Sequence, residues 1–233
     1  MLVGGTPGMK LFVGADRATQ GSLGSPGLDA AAVELAEELM WSERSERREI
    51  GDVGLFVDVT HPAPRLIAFG AVDFAGALCR IARATGWRPY VVDPRKRFAQ
   101  PARFPDAEQV IADWPEAAFA QLGGIDRATS IAVLTHDPKL DDAALILALR
   151  SDAGYIGAMG SRRAQASRRE RLLAQGIAEA ELARIAAPIG LDIGALTAEE
   201  TALSIMAEVV AAKHGHPGGR LAHARGRIHE VGV

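Results

Sequence analysis

Four short apolar runs, Leu66-Ile67-Ala68-Phe69, Pro89-Tyr90-Val91-Val92-Asp93, Ser130-Ile131-Ala132-Val133-Leu134 and Gly154-Tyr155-Ile156-Gly157, alternate with stretches of helical periodicity, and this leaves few folds open to the chain. A strand that is apolar at successive positions is buried on both faces, and the intervening helices are the crossovers that let such strands run parallel. With Gln109-Val110-Ile111 as a further short strand, and helices over residues 74–84, 115–122 and 141–150, the pattern predicts stacked β-α units. The right-handed crossover rule then gives an α/β fold with a doubly wound, mostly parallel, Rossmann-like sheet. Helices over residues 162–175 and 179–185 follow. Thr197-Ala198-Glu199-Glu200 is a capping box for a last helix, whose buried stripe is read as Leu203, Met206, Val209 and Val210.

Residues 65–215 thus read as one Rossmann-like domain, and the first sixty residues read differently. Met9-Lys10-Leu11-Phe12-Val13 and Gly54-Leu55-Phe56-Val57-Asp58-Val59 are predicted as two strands flanking a helix over residues 29–40, a small α+β unit spanning residues 1–60. Thr60-His61-Pro62-Ala63-Pro64 is an extended linker. The opening Gly4-Gly5-Thr6-Pro7-Gly8 reads like the middle of a domain, so an incomplete unit is expected. Residues 216–233, with Pro217-Gly218-Gly219, Arg220, Arg225 and Arg227, are expected to be a mobile basic tail. The spacing of His214, His216, His223 and His229 there fits no metal motif.

The 233 residues, 48% apolar, suffice to bury a real core. A net charge of -3 and 5% aromatic residues give no reason to expect nucleic acid. No apolar run reaches bilayer length and Met1-Leu2-Val3-Gly4-Gly5 lacks the character of a signal peptide, so a cytoplasmic protein with no membrane partner is expected. The single cysteine, Cys79, excludes an internal disulfide and a Cys-based metal cluster within one chain. Among Ala77, Leu78 and Ile81 it reads as a small buried hydrophobe.

Three loops leave predicted strands where open α/β sheets bind ligands. Gly157 through Gly160-Ser161-Arg162-Arg163 ends an apolar run and opens a polar helix; small residues, free N–H groups and two guanidinium groups suit an anion such as a phosphate. In Phe69-Gly70-Ala71-Val72-Asp73-Phe74-Ala75 the first glycine of a dinucleotide loop is present, but Val72 and Ala75 stand at the next two glycine positions. Asp93, about twenty residues on, is placed to bind a ribose hydroxyl or to cap the following helix. In Thr135-His136-Asp137-Pro138, His136 either exchanges a proton with Asp137 orienting it, or faces solvent while Asp137 caps the next helix.

Together, Phe69-Gly70-Ala71, Val92-Asp93-Pro94-Arg95, Phe104-Pro105-Asp106-Ala107, Thr135-His136-Asp137, Tyr155-Ile156-Gly157 through Arg163, and Pro188-Ile189-Gly190-Leu191-Asp192-Ile193-Gly194 resemble the XdhC/CoxI family. The resemblance covers about residues 65–215, and the N-terminal unit looks like the end of that family's first domain. It implies an accessory chaperone that binds the molybdenum cofactor (molybdopterin) as cargo and passes it to a molybdenum hydroxylase apoenzyme such as xanthine or carbon monoxide dehydrogenase. A cysteine desulfurase and a second copy in a homodimer are further expected partners. No residue is assigned a catalytic role; Gly70, Asp93, Thr135, His136, Asp137, Gly157, Gly160, Ser161, Arg162 and Arg163 are the expected cofactor-binding set. The chain departs from the family at Ser25-Pro26-Gly27, where the family has Gly-Gly-Cys, and at Val72-Asp73, where it has Gly-His. Two other readings of the same sheet stay open: an NAD(P)-dependent oxidoreductase with His136 as acid and Asp93 on the ribose, and a nucleotide-binding regulatory module.

Overall fold

In the computed structural model the described residues are 8–42, 45–60 and 63–223. They divide into two compact units, Met1–Pro62 with Arg220–Val233, and Ala63–Gly219. In the first, β1 (Lys10–Val13) pairs antiparallel with β2 (Thr19–Ser22), α1 (Pro26–Ser42) follows, and β3 (Glu46–Ile50) pairs antiparallel with β4 (Val53–Val57). Each predicted strand therefore belongs to a hairpin whose other half the sequence pattern does not reveal. Thr19-Gln20-Gly21-Ser22 and Glu46-Arg47-Arg48-Glu49 carry almost no apolar residue, so neither segment shows the alternation that marks a half-buried strand. Leu23, Ala32 and Leu55 form a small apolar cluster here.

The second unit holds β5 (Arg65–Phe69), α2 (Asp73–Ala84), β6 (Arg88–Val92), β7 (Gln109–Ile111), α3 (Pro115–Leu122), β8 (Thr129–Val133), α4 (Pro138–Leu149), β9 (Tyr155–Ala158), α5 (Arg162–Ala174), α6 (Glu179–Leu182), β10 (Ile185–Ala186) and α7 (Ala198–Lys213). Its six strands form one parallel sheet in the order β10-β9-β8-β5-β6-β7. The chain winds outward from β5 through β6 to β7, then returns to β8 and winds the other way. The switch point, where a doubly wound sheet opens a crevice, therefore lies between β5 and β8.

Alternate residues of each strand serve opposite cores. Leu66 and Ala68 meet Leu78 and Ala82 of α2 and Ile205, Met206 and Val209 of α7 on one face. Ile67 and Phe69 meet Ala118 of α3, Leu145 and Ala148 of α4, and Leu172 of α5 on the other. Two expectations need correction. Residues 185–186 are an edge strand, not the end of a helix; two half-exposed apolar residues carry no period to tell the states apart. Leu203 is 52% exposed, and Ala202, Ile205, Met206 and Val209 make the buried stripe of α7. Its capping box is present, Thr197 Oγ1 accepting from the Glu200 N–H at 3.1 Å and Glu200 accepting in return from the Thr197 N–H at 3.0 Å.

Candidate functional site

The loops that leave β5, β6, β8 and β9 share the carboxyl rim of the sheet, and buried polar side chains tie them together. After β5, Gly70 takes φ +112°, and a Cβ on it would lie 2.3 Å from Thr135 Cγ2. Gly70 is thus needed for the close crossing of the β5 and β8 loops, where the threonine methyl fills the space a side chain would occupy. Ala71 donates its N–H to Asp93 Oδ2 at 2.8 Å, which ties the β5 loop to the end of β6. Arg95 closes on the same carboxylate, Nε to Oδ1 at 2.8 Å and Nη2 to Oδ2 at 2.7 Å, and its own N–H reaches Oδ1 at 2.9 Å. Burial alone would push the Asp93 carboxyl up, but these bonds and the Arg95 charge outweigh it and hold it below its ordinary value. Arg103 braces the other side of the loop, donating to the Ala71 carbonyl at 3.1 Å and pairing with Asp73 at 3.2 Å.

A second chain of contacts joins the loops after β8 and β9. Thr135 Oγ1 donates to Asp141 Oδ1 in the first turn of α4 and accepts from the Asp137 N–H at 3.2 Å. Asp141 Oδ2 accepts from Arg168 Nη2 of α5 at 2.9 Å, and the same nitrogen reaches the Met159 carbonyl at 3.0 Å. Arg168 Nη1 donates to Gln165, whose amide nitrogen reaches the carbonyls of Ala158 at 3.2 Å and Gly160 at 3.3 Å. Thr135, Asp141 and Arg168 are all buried. Burial pushes the Asp141 carboxyl up, and the bonds from Thr135 and Arg168 and the Arg168 charge oppose that shift without cancelling it.

Beyond β9, Gly160 takes φ +136° and leads into α5. Ser161 is the N-cap, its Oγ accepting from the Ala164 N–H at 3.2 Å. The N–H groups of Arg162 and Arg163 are left without intrahelical partners at the positive end of the helix dipole. Both arginine side chains are exposed, and neither is ion-paired with a described residue. This end of the rim offers donors and two unneutralised guanidinium groups, an arrangement suited to an anion.

Residues 66–209 match the XdhC Rossmann domain. The chain belongs to the XdhC family. Relatives of this XdhC domain include the "Uncharacterized protein YqeB" of Escherichia coli strain K12, 30% identical over 72% of the chain and 31% of that protein. A probable xanthine dehydrogenase subunit of Bacillus subtilis strain 168 is 31% identical over 67% of the chain and 45% of its own length. The "Molybdenum cofactor insertion chaperone PaoD" of Escherichia coli strain K12 is 30% identical over 65% and 41%. The chain spans less than half the length of each of these relatives. A crystal structure described as a xanthine dehydrogenase from Bacillus halodurans superposes with a TM-score of 0.57 at 22% identity, covering 84% of this chain and 67% of that one, a likeness of fold.

The residues expected of an XdhC site fall into two groups. Gly160, Ser161, Arg162 and Arg163 lie open at the rim, as does His136, which is exposed. Gly70, Asp93, Thr135 and Gly157 are buried and build the rim from within, and Asp137 is exposed but committed to the helix that follows it. Asp137 is the N-cap of α4, Oδ1 accepting from the Lys139 N–H at 3.0 Å. A Cβ on Gly157 would lie 2.5 Å from Ile189 Cδ1, so the loop before α7 covers this glycine. Asp141, Gln165 and Arg168 escape a reading of the sequence, because adjacent residues of α4, Asp141 and Asp142, pair with Arg168 and Arg171 one turn apart in α5, which no spacing along the chain announces. The nicotinamide reading finds no support: all four acceptor positions of Asp93 are taken, leaving none for a ribose hydroxyl, and Val72 caps α2 where a dinucleotide loop needs glycine. Cys79 is buried in α2; burial first, and the Asp106 charge, push its thiol up to about 12 against the opposing Arg83, which keeps it from acting as a thiolate. Among the described residues no cluster of His, Cys, Asp and Glu is placed to hold a metal ion, and no helix is long and apolar enough to cross a membrane.

Proposed function

We propose that this chain is the Rossmann part of an accessory factor for molybdenum hydroxylases, and that its carboxyl rim holds the molybdenum cofactor as cargo. The observation that carries this reading is the capped start of α5, where Ser161, Arg162 and Arg163 present free donors and unpaired positive charge beside the switch point. Molybdopterin is a pterin bearing a phosphate, so one end of it needs an anion cradle, which suits the start of α5, and the other a crevice, which a doubly wound sheet is expected to open at its switch point. The names of two relatives, one a probable part of a xanthine dehydrogenase and the other a molybdenum cofactor insertion chaperone, support the same class of role. The site has exposed cations and fastened loops but no proton-transfer pair, since Asp137 is committed to its helix cap and not to His136. The rim therefore suits binding and release better than turnover. The partners that follow are a hydroxylase apoenzyme that receives the cargo and a cysteine desulfurase that supplies its terminal sulfur.

Titration of the protein with molybdopterin released from a purified molybdenum enzyme tests this. Arg162→Ala with Arg163→Ala is expected to weaken binding by roughly tenfold or more, as loss of two charge-assisted contacts to a phosphate would. An unchanged affinity in the double variant removes the site.

A further inference from the structure

Two ion pairs join α4 to α5, and they are unlike. Arg171 grips Asp142 with both ends of its guanidinium, Nε to Oδ2 at 2.7 Å and Nη2 to Oδ1 at 2.9 Å, with Arg171 36% exposed over the buried Asp142. That pair ties the two helices to each other and hydrogen-bonds to nothing in the loops after β8 and β9. Arg168 and Asp141, two residues with side chains 5% and 3% exposed, reach past the helices to the Met159 carbonyl and the Thr135 hydroxyl. Arg168 Nε is also buried with no hydrogen-bond partner among the described residues. A buried ion pair seldom improves on apolar packing, and one that leaves a donor unmet is worse still. Stability does not account for it, whereas its outward contacts do: one meets the Thr135 hydroxyl in the loop after β8 and the other the Met159 carbonyl in the loop after β9.

We propose that Asp141 and Arg168 are positioning residues that set the β8 and β9 loops relative to each other, so that Gly160–Arg163 and the Thr135 turn close on one ligand together. This rests on the reading of the rim as an anion site. The geometry couples the two sides through a single carboxylate, with Oδ1 on one loop and Oδ2 serving the other by way of Arg168. Coupling carried by such a network is modest, and it has to appear as an affinity loss not shared by a variant that merely loosens the helices.

The test uses the full chain, molybdopterin released from a purified molybdenum enzyme as probe, and thermal midpoints recorded alongside. Asp141→Asn, and Thr135→Val as a variant that keeps the methyl against Gly70, are each expected to weaken binding by roughly tenfold. Asp142→Asn should lower the thermal midpoint yet change affinity by less than about twofold. In the Arg162→Ala, Arg163→Ala background the effect of Asp141→Asn should shrink, because the loop it positions no longer carries the grip. If Asp142→Asn weakens binding as much as Asp141→Asn, or if neither Asp141→Asn nor Thr135→Val alters affinity while the double arginine variant does, the positioning role is wrong and the site stands. If the double arginine variant binds as the wild type does, the site itself falls and the inference with it.

Discussion

The carboxylate of Asp93 meets four donors, the Ala71 N–H and three from Arg95, and so exhausts its acceptor capacity within the protein. Its sequence position alone, an acid closing a strand, fits ribose binding equally well; only the partner two residues on decides, and although Arg95 belongs to the motif Val92-Asp93-Pro94-Arg95, nothing in that motif says that its guanidinium turns back onto Asp93. The consequence is a pH signature. Because the folded value lies below the ordinary carboxylate value of about 3.9, the unfolded chain binds the proton first as pH falls, and stability rises with pH across that window. The contribution is complete above about pH 5 and is lost as the pH drops through the folded value. Asp93→Asn should therefore destabilise the protein near neutrality by about 2 kcal/mol, the scale of charge-assisted bonds lost in a buried setting. Urea unfolding of wild type and variant at a series of pH values checks this: the gap should hold from neutrality down to about pH 5 and narrow below about pH 4. A gap that stays constant into strong acid would mean that the Asp93 charge contributes nothing and only its shape matters.

Strands β5, β6, β8 and β9 are legible in the sequence because each is buried on both faces and so spells an apolar run, whereas β2 is exposed throughout, β3 alternates exposed and half-buried positions filled mostly by charged residues, and β10 is only two residues long. Gly157 shows the limit of reading a glycine in a strand. Bare backbone suggests a ligand, yet Ile189 from the loop before α7 occupies that face, its N–H bonded to the Ala158 carbonyl at 3.1 Å. The loop is pinned further by Glu208 of α7, which accepts from the Gly190 N–H at 2.7 Å and from the Tyr155 hydroxyl; burial first, and then Glu208, push that phenol up so that it remains a donor. Gly157→Ala should therefore cost about 1–3 kcal/mol, the usual penalty for overfilling a packed site. The new methyl would meet Ile189 Cδ1 and Cγ1 at 2.5 Å and the Tyr155 hydroxyl at 2.7 Å; Ile189→Ala removes the first of these clashes, so the double variant should be less destabilised than the sum of the two single changes by more than about 0.5 kcal/mol. Chemical unfolding of the four proteins measures that difference, and strict additivity would place the cost elsewhere than at this contact.

At the scale of the molecule, the sheet and the open end of the rim can be read ahead of the structure, but the polar strap beneath it cannot, since Asp141, Gln165 and Arg168 sit in helices whose charged residues look like solvated faces until the packing is known. The same packing separates the two units energetically. Ala63–Gly219 has two extensive cores, one on each side of its sheet, and Phe69, Ile67, Ile131 and Leu145 are wholly enclosed. In Met1–Pro62 with Arg220–Val233, the buried apolar side chains among the described residues are Leu23, Ala32, Leu39 and Leu55, and the strands form two separate two-stranded hairpins. Such hairpins are marginal by themselves, and their amides open at low free energy when little apolar surface holds them shut. Native-state hydrogen exchange at rising urea should therefore release the amides of β1 to β4 first. Those of β5, β8 and β9 should exchange only through global unfolding, since each of these strands bonds to a neighbour on both sides and is buried on both faces. Two exchange isotherms that merge only near the main transition would express this division. A single isotherm shared by β1 to β9 would mean that the small unit takes its stability from contacts with the large one, and that the chain unfolds as one cooperative body.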